Sequence, residues 1–116
     1  MDYRVDDLGK FKVIRITGNI DTEASSKLLD DEISVLVDKG VHHFLFDLKR
    51  TSYLDSAGIS IFIHCLCDVQ ENNGSIYIIA DDSQVRSVLE MVGITRLIKT
   101  YDNEEAFRAE HVENEA

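Results

Sequence analysis

The segment Leu54-Asp55-Ser56-Ala57-Gly58 sets a hydroxyl next to a carboxylate between an apolar strand pattern and an apolar helix pattern. A serine in that setting can cap a helix, act as a nucleophile or accept a phosphate. As a cap, Ser56 would contribute about 1 kcal/mol. Gly58 then falls in the first helical turn, where glycine costs up to about 1 kcal/mol against alanine. Stability alone does not call for that glycine, but it would let another backbone approach closely. As a nucleophile, Ser56 needs a base within reach and a group to orient that base. The histidines are His42, His43, His64 and His111. The first two begin a strand at the opposite sheet end, His64 lies about two turns into the helix that Ser56 opens, and His111 is near the C-terminus. Leu54 stands where a Gly-x-Ser-x-Gly elbow requires glycine. The residues therefore point away from an enzyme. As a phosphoacceptor, Ser56 is well placed, because a helix N-terminus tolerates a phosphate on its free N–H groups and dipole. The added charge of about −1.5 to −2 beside Asp55 would then act on whatever docks there.

The elements around this segment follow from apolar spacing. Lys10 to Thr17 alternates and reads as a strand. Tyr3 to Val5 reads as a short strand joined to it through the turn Asp6-Asp7-Leu8-Gly9. Asp21 or Thr22 opens a helix with Ala24, Leu28, Leu29, Ile33, Leu36 and Val37 on its apolar side, ended by Gly40. His43 to Leu48 reads as a strand buried on both faces, with Asp47 as its polar end and Lys49 to Tyr53 as a connector. Gly58 to Gln70 is a helix by length, with Phe62, Cys65, Leu66 and Val69 in one stripe. Ser75 to Ala80 is a buried strand. Asp82 or Ser83 caps a helix bearing Val85, Val88, Leu89 and Val92, stopped by Gly93. Leu97 and Ile98 form a last strand, and Asp102 or Asn103 opens a last helix. The expected fold is an α/β single domain. Its mixed sheet has about five strands, an antiparallel edge and parallel crossovers, with about four helices.

Composition narrows the function. The chain has 116 residues, enough for one core without staples. Its formal net charge of −10 leaves no basic surface to neutralise phosphates, which argues against nucleic acid. No stretch approaches the roughly 18 apolar residues of a membrane span, and the acidic N-terminus has no secretory pattern. The expectation is a cytoplasmic protein with no membrane association. Cys65 and Cys67 read as small buried apolar residues. With His64 they supply too few ligands for zinc. No metal and no cofactor are expected. The acidic stretch from about 111 to 116 is expected to fray.

Three elements together carry a family resemblance. Asp47-Leu48 followed by Tyr53-Leu54-Asp55-Ser56-Ala57-Gly58-Ile59 resembles the signature of the STAS domain of bacterial anti-sigma factor antagonists. Gly18-Asn19-Ile20-Asp21 resembles that family's Gly-x-Leu-Asp turn after the second strand, and Gly93-Ile94 after the third helix also fits. The resemblance runs from about residue 3 to 110, and the whole of 1–116 is expected to be one such domain. It implies a partner switch. The unphosphorylated antagonist binds an anti-sigma factor that is also a serine kinase of histidine-kinase-like ATPase fold. Phosphorylation of the serine after the aspartate, here Ser56, releases it, and a serine phosphatase restores it. Asp55, Ser56, Ala57, Gly58 and Ile59 would face the partner. Asp21, the turn aspartate, would face it too, unless it is a plain helix cap. Ala57 departs from the serine or threonine of many members, which removes a competing hydroxyl and leaves the acceptor in place.

The family also includes stressosome, secretion and transporter-linked modules, so a pathway without a sigma factor is an alternative. A response-regulator receiver is another, since Val5-Asp6-Asp7 and Asp47 imitate its acidic pocket. However, Gly9-Lys10-Phe11 begins a strand where a receiver needs a helix. No glycine-rich phosphate loop marks a nucleotide-binding module.

Overall fold

The computed structural model describes residues 1–20, 23–81 and 83–112. The chain opens with a hairpin of β1 (Asp2–Leu8) and β2 (Phe11–Ile20) and continues α1 (Glu23–Asp38), β3 (His43–Leu54), α2 (Ser56–Glu71) and β4 (Ser75–Ile79). It ends with α3 (Ser83–Met91), α4 (Ile94–Leu97), β5 (Thr100–Tyr101) and α5 (Glu104–His111). The strands lie in chain order, β1-β2-β3-β4-β5. The β1–β2 pair is antiparallel and the remaining pairs are parallel, so the expected mixed α/β sheet is present.

Strand order in chain order has a consequence for the layers. Each parallel crossover steps the same way, and right-handed crossovers then put their helices on one face. Ile14, Phe44, Phe46 and Ile78 line that face. They pack against Leu29 and Ile33 of α1, Phe62, Cys65 and Val69 of α2, and Val85 and Leu89 of α3. The other face is covered by α5, whose Phe107 sits among Phe11, Val13, Leu45, Ile79 and Tyr101. Along β3, Phe44, Phe46 and Leu48 serve the first cluster and Leu45 the second, which is why that strand is apolar on both faces.

Several elements differ from the sequence expectation. β1 runs to Leu8, and the hairpin turns at Gly9 and Lys10. β2 continues through Gly18 to Ile20, with register shifts against β3 between Arg15 and Thr17 and between Gly18 and Asn19. The Ile16 carbonyl lies inside the first shift and accepts from Thr51 Oγ1 at 3.0 Å. Lys49 to Tyr53 is part of β3, because the long β2 supplies partners, Thr17 for Arg50 and Asn19 for Tyr53. Asp47 therefore sits within a strand and does not end it. Leu97 closes the single turn of α4, and the last strand is Thr100–Tyr101. Gly93, at φ 84°, ends α3. Ile94 and Ile98, four apart and both buried, then take helical rather than strand spacing, closed by Ile98 N–H donating to the Ile94 carbonyl at 2.8 Å. With this turn, α4, the described residues hold five helices, one more than expected. Cys65 is buried but Cys67 is exposed, the outcome that two positions on one helix dictate. α5 holds Glu110 and His111 in regular helix.

Candidate functional site at the start of helix α2

The α2 start is built from both neighbouring strands. Leu54, the last residue of β3, pairs with Ile20, the last of β2. Asp55 N–H donates to the Ile20 carbonyl at 3.3 Å, fixing the residue that follows the strand. Asp55 is extended, at φ −115° and ψ −167°, and its Oδ1 accepts from the N–H groups of Ala57 at 2.9 Å and Gly58 at 3.2 Å. Asp55 is therefore the N-cap, and Ser56 is the first helical residue. The sequence allowed Ser56 as the cap because serine and aspartate cap about equally well. One carboxylate oxygen that reaches two orphan N–H groups leaves the neighbouring hydroxyl without that task.

Gly58 is buried, and its place in the first turn has a steric cause. A Cβ there would lie 2.9 Å from the Ile20 carbonyl oxygen and 3.0 Å from Ile20 Cγ2. The close backbone approach that the sequence suggested is that of β2. The glycine is thus a packing requirement that brings the end of β2 against the start of α2.

Ser56 is exposed, and its hydroxyl makes no hydrogen bond among the described residues. It lines an open groove of about 550 Å3 between α1 and α2, with Ser26, Lys27, Asp30, Asp55 and Ser60. Of the three serines there, Ser60 Oγ donates to the Ala57 carbonyl at 2.7 Å, and Ser26 is buried with a partner of its own. That leaves Ser56 as the available hydroxyl. Ala57 is half-buried, and Ile59 packs against the main core while partly exposed. The structure thus brings Asp55, Ser56, Ala57, Gly58 and Ile59 together in one turn. Asp21 lies outside the described residues.

Among the described residues no histidine stands beside Ser56. His64 is eight positions on, about 12 Å along the helix, and its Nδ1 is 3.4 Å from Asp30 Oδ2. His42 and His43 are at the other end of β3, and His111 is on α5, with Nε2 2.7 Å from the Tyr101 hydroxyl. The groove residues of α1 were missed by sequence reasoning. Ser26, Lys27 and Asp30 have one-face helical spacing, but only the packing of α1 on α2 shows which face meets Ser56. Lys27 is the cation of this groove, with its own carboxylate, Asp31, at 3.9 Å.

A second polar site lies on the α5 face. Arg15 donates to Asp6 at 2.7 Å, Asp47 at 2.8 Å and Glu104 at 2.7 Å. Asp47 is only 8% exposed, so this arginine answers a buried charge. Hydrogen bonding from Arg15 lowers the Asp6 carboxyl below its ordinary range. Burial acts to raise Glu104, but hydrogen bonds from Arg15 and Arg108 outweigh it and hold Glu104 low as well. Asp47 is a member of this network and forms no open acidic pocket of the receiver kind.

The domain thus joins a sheet of sequential strands, helices on both of its faces and an unbonded serine on the capped turn after the third strand. The STAS domain family model matches residues 3–107, and the chain belongs to the STAS domain family. The anti-sigma-B factor antagonist of Staphylococcus aureus is 22% identical over 96 residues, covering 83% of this chain and 88% of that one. Among solved structures, the anti-sigma factor antagonist SpoIIAA in its unphosphorylated form superposes with a TM-score of 0.76 at 20% identity, covering 96% of this chain and 100% of that one. The phosphorylated form of SpoIIAA, a Bacillus cell fate determinant, gives 0.74 at 18% identity, covering 93% and 98%. An anti-sigma factor antagonist from Mycobacterium paratuberculosis gives 0.81 at 20% identity, covering 93% and 92%. Among the described residues, no helix is long and apolar enough to cross a membrane.

Proposed function

We propose that this protein is an anti-sigma factor antagonist, a binding protein rather than an enzyme, switched by phosphorylation of Ser56. While Ser56 is free it holds an anti-sigma factor that is also a serine kinase, in the cytoplasm, and 1–116 acts as one STAS domain. The observation that carries this reading is the exposed, unbonded Ser56 hydroxyl on a turn that Asp55 already caps. The names of the relatives support the partner class.

The chemistry is a phosphoryl transfer. Ser56 Oγ attacks the γ-phosphorus of ATP held by the partner, the Oγ–P bond forms and the bond to the β-phosphate oxygen breaks. ADP leaves, and the hydroxyl proton passes to a base on the partner, since the groove offers no histidine within reach. A serine phosphatase reverses the modification by hydrolysis. The phosphate sits on a helix N-terminus, so the fold tolerates it. In a docked interface it must be desolvated beside Asp55. Two unit charges about 5 Å apart cost roughly 3 kcal/mol at an effective dielectric of 20, and a hundredfold loss of affinity needs only about 2.7 kcal/mol.

The test is binding of the cognate kinase-type partner by calorimetry. Ser56→Asp is expected to bind at least about a hundredfold more weakly, and Ser56→Ala to bind like wild type and stay bound with ATP. Equal affinity of wild type and Ser56→Asp contradicts the reading. Asp21 is proposed to face the same partner, so Asp21→Ala weakens binding more than stability. A loss of stability alone makes it a helix cap.

A further inference from the structure

The two edges of the sheet differ in length. The β5 edge is two residues long, Thr100 and Tyr101. The β1 edge is seven residues long, Asp2 to Leu8, and pairs with β2 without a register shift. β1 is first in the strand order, so among the described residues its outer side has no partner strand. Proteins commonly blunt such an edge by shortening it, bulging it or placing proline in it. β1 is long and unbulged, and the chain has no proline at all. What β1 carries is charge that alternates in sign along one side, Asp2, Arg4 and Asp6.

The hairpin decides which backbone groups face outward. The tight turn at Gly9 and Lys10 makes Leu8 and Phe11 a hydrogen-bonded pair, and bonded pairs alternate along an antiparallel ladder. Asp2, Arg4 and Asp6 therefore bond to β2, while Tyr3, Val5 and Asp7 direct their N–H and C=O groups away from it. A second β1 running antiparallel can pair only by meeting these residues with its own, which limits it to registers two residues apart. Centred on Val5, the register pairs Tyr3, Val5 and Asp7 together, and Arg4 of each copy faces Asp6 of the other. Slipped two residues either way, Arg4 faces Arg4 or Asp6 faces Asp6, and like charges directly opposite destabilise a sheet. Arg4 is largely exposed and holds its own Asp6 at 3.1 Å along the strand, so in the Val5-centred register the charges alternate around a square. On the other side of the ribbon, Val5 faces Val5. The half-exposed Tyr3 ring lies diagonal to Val5 of the other copy, a spacing that aromatic side chains reach.

We propose that β1 pairs with β1 of a second copy of this chain, antiparallel about Val5, so that the two sheets become one. The occupant is a second copy because this one register meets every outward backbone group from Tyr3 to Asp7 and opposes unlike charges on both sides of its axis. A single strand pair is a small interface, and two copies at net charge −10 repel each other. The dimer is therefore weak, with Kd on the order of 100 μM. Ser56 follows β3, two strands in from this edge, and takes no part in the pairing.

The test is sedimentation velocity of the full chain from about 10 μM to about 1 mM, in about 0.15 M salt to screen the net repulsion, with amide hydrogen exchange at both ends of the range. A monomer–dimer equilibrium is expected. Protection of the Tyr3, Val5 and Asp7 amides should rise with concentration, while Arg4 and Asp6 are protected throughout. Arg4→Asp sets an anion opposite Arg15 within the chain but opposite Asp6 across the dimer. It should fold with an unchanged thermal melt and dimerise at least about tenfold more weakly. Lys39→Asp makes the same change of charge at an exposed site after α1 and should dimerise as wild type. A monomer at every concentration overturns the proposal. So does a dimer indifferent to Arg4→Asp, one weakened equally by Lys39→Asp, or one whose concentration-dependent protection falls outside β1.

Discussion

Helix α5 begins at Asn103, whose side chain accepts from Ala106 N–H at 2.8 Å, and its first turn carries Glu104 and Glu105. Helix α2 begins at Asp55, which accepts from two N–H groups, and its first turn is Ser56, Ala57 and Gly58, with no acid. Both starts are capped. The α5 start is furnished for stability, because carboxylates near a helix N-terminus contribute about 0.3–1 kcal/mol each. One of them, Glu104, also ties the helix to Arg15. The α2 start lacks such carboxylates in its first turn, and of the small residues there Ser56 is the exposed one. Gly58 is explained by its contact with Ile20. The Ser56 hydroxyl makes no hydrogen bond among the described residues, and that difference between the two turns is what supports the regulatory role proposed for it.

Breaking the α5 side should have the largest effect on stability. Arg15→Ala leaves Asp47 without its cation and Glu104 with Arg108 alone. Removal of one partner from a buried pair costs about 3–5 kcal/mol. Arg15 is about a quarter exposed, so a loss of about 2 kcal/mol is expected in denaturant melts at neutral pH. The loss should depend on pH with a definite sign. Asp6 and Glu104 have lowered carboxyl pKa values in the folded state, so their contribution is complete above the ordinary carboxylate range and drains as pH falls through the lowered values. The difference between wild type and Arg15→Ala should therefore shrink on acidification below about pH 4. A difference that grows in acid contradicts the network.

Exchanging the third helical residue of the two starts sharpens the comparison. Gly58→Ala gains helix propensity but drives a Cβ to 2.9 Å from the Ile20 carbonyl, for an expected net loss of about 1–3 kcal/mol. Ala106→Gly, at the same position of α5, should lose about 1 kcal/mol through propensity alone. Both are read from chemical denaturation. A stabilised Gly58→Ala would mean that β2 yields easily and that the α2 start is not fixed by it. The smallest pair separates the cap from the free hydroxyl. Asp55→Ala should lose about 1 kcal/mol, whereas Ser56→Ala should stay within about 0.5 kcal/mol of wild type. Equal losses would return Ser56 to a structural role.

The sequence made the local parts of this arrangement legible. The spacing of Val85, Val88 and Leu89 marked α3, and the apolar run Phe44 to Leu48 marked the buried half of β3. The turn from Leu54 to Gly58 stood out because a glycine and a hydroxyl interrupt two apolar patterns. What escaped depends on pairing between distant residues. The second half of β3 is polar at Lys49, Arg50 and Ser52, and only its register with β2 makes it a strand. Asp47 looked like a strand end because the partner that makes it tolerable inside a strand, Arg15, is 32 residues away. Two adjacent good caps, Asp55 and Ser56, could not be ranked without knowing which side chain points back at the helix. Lys27 and Asp30 could not be joined to Ser56 until α1 was seen beside α2.

The most direct measurement is intact mass with peptide mapping after incubation of the protein with its kinase-type partner and ATP. One phosphate is expected per chain, on the peptide carrying Ser56, with none taken up by Ser56→Ala. A phosphate on another residue, or full uptake by Ser56→Ala, would contradict the account.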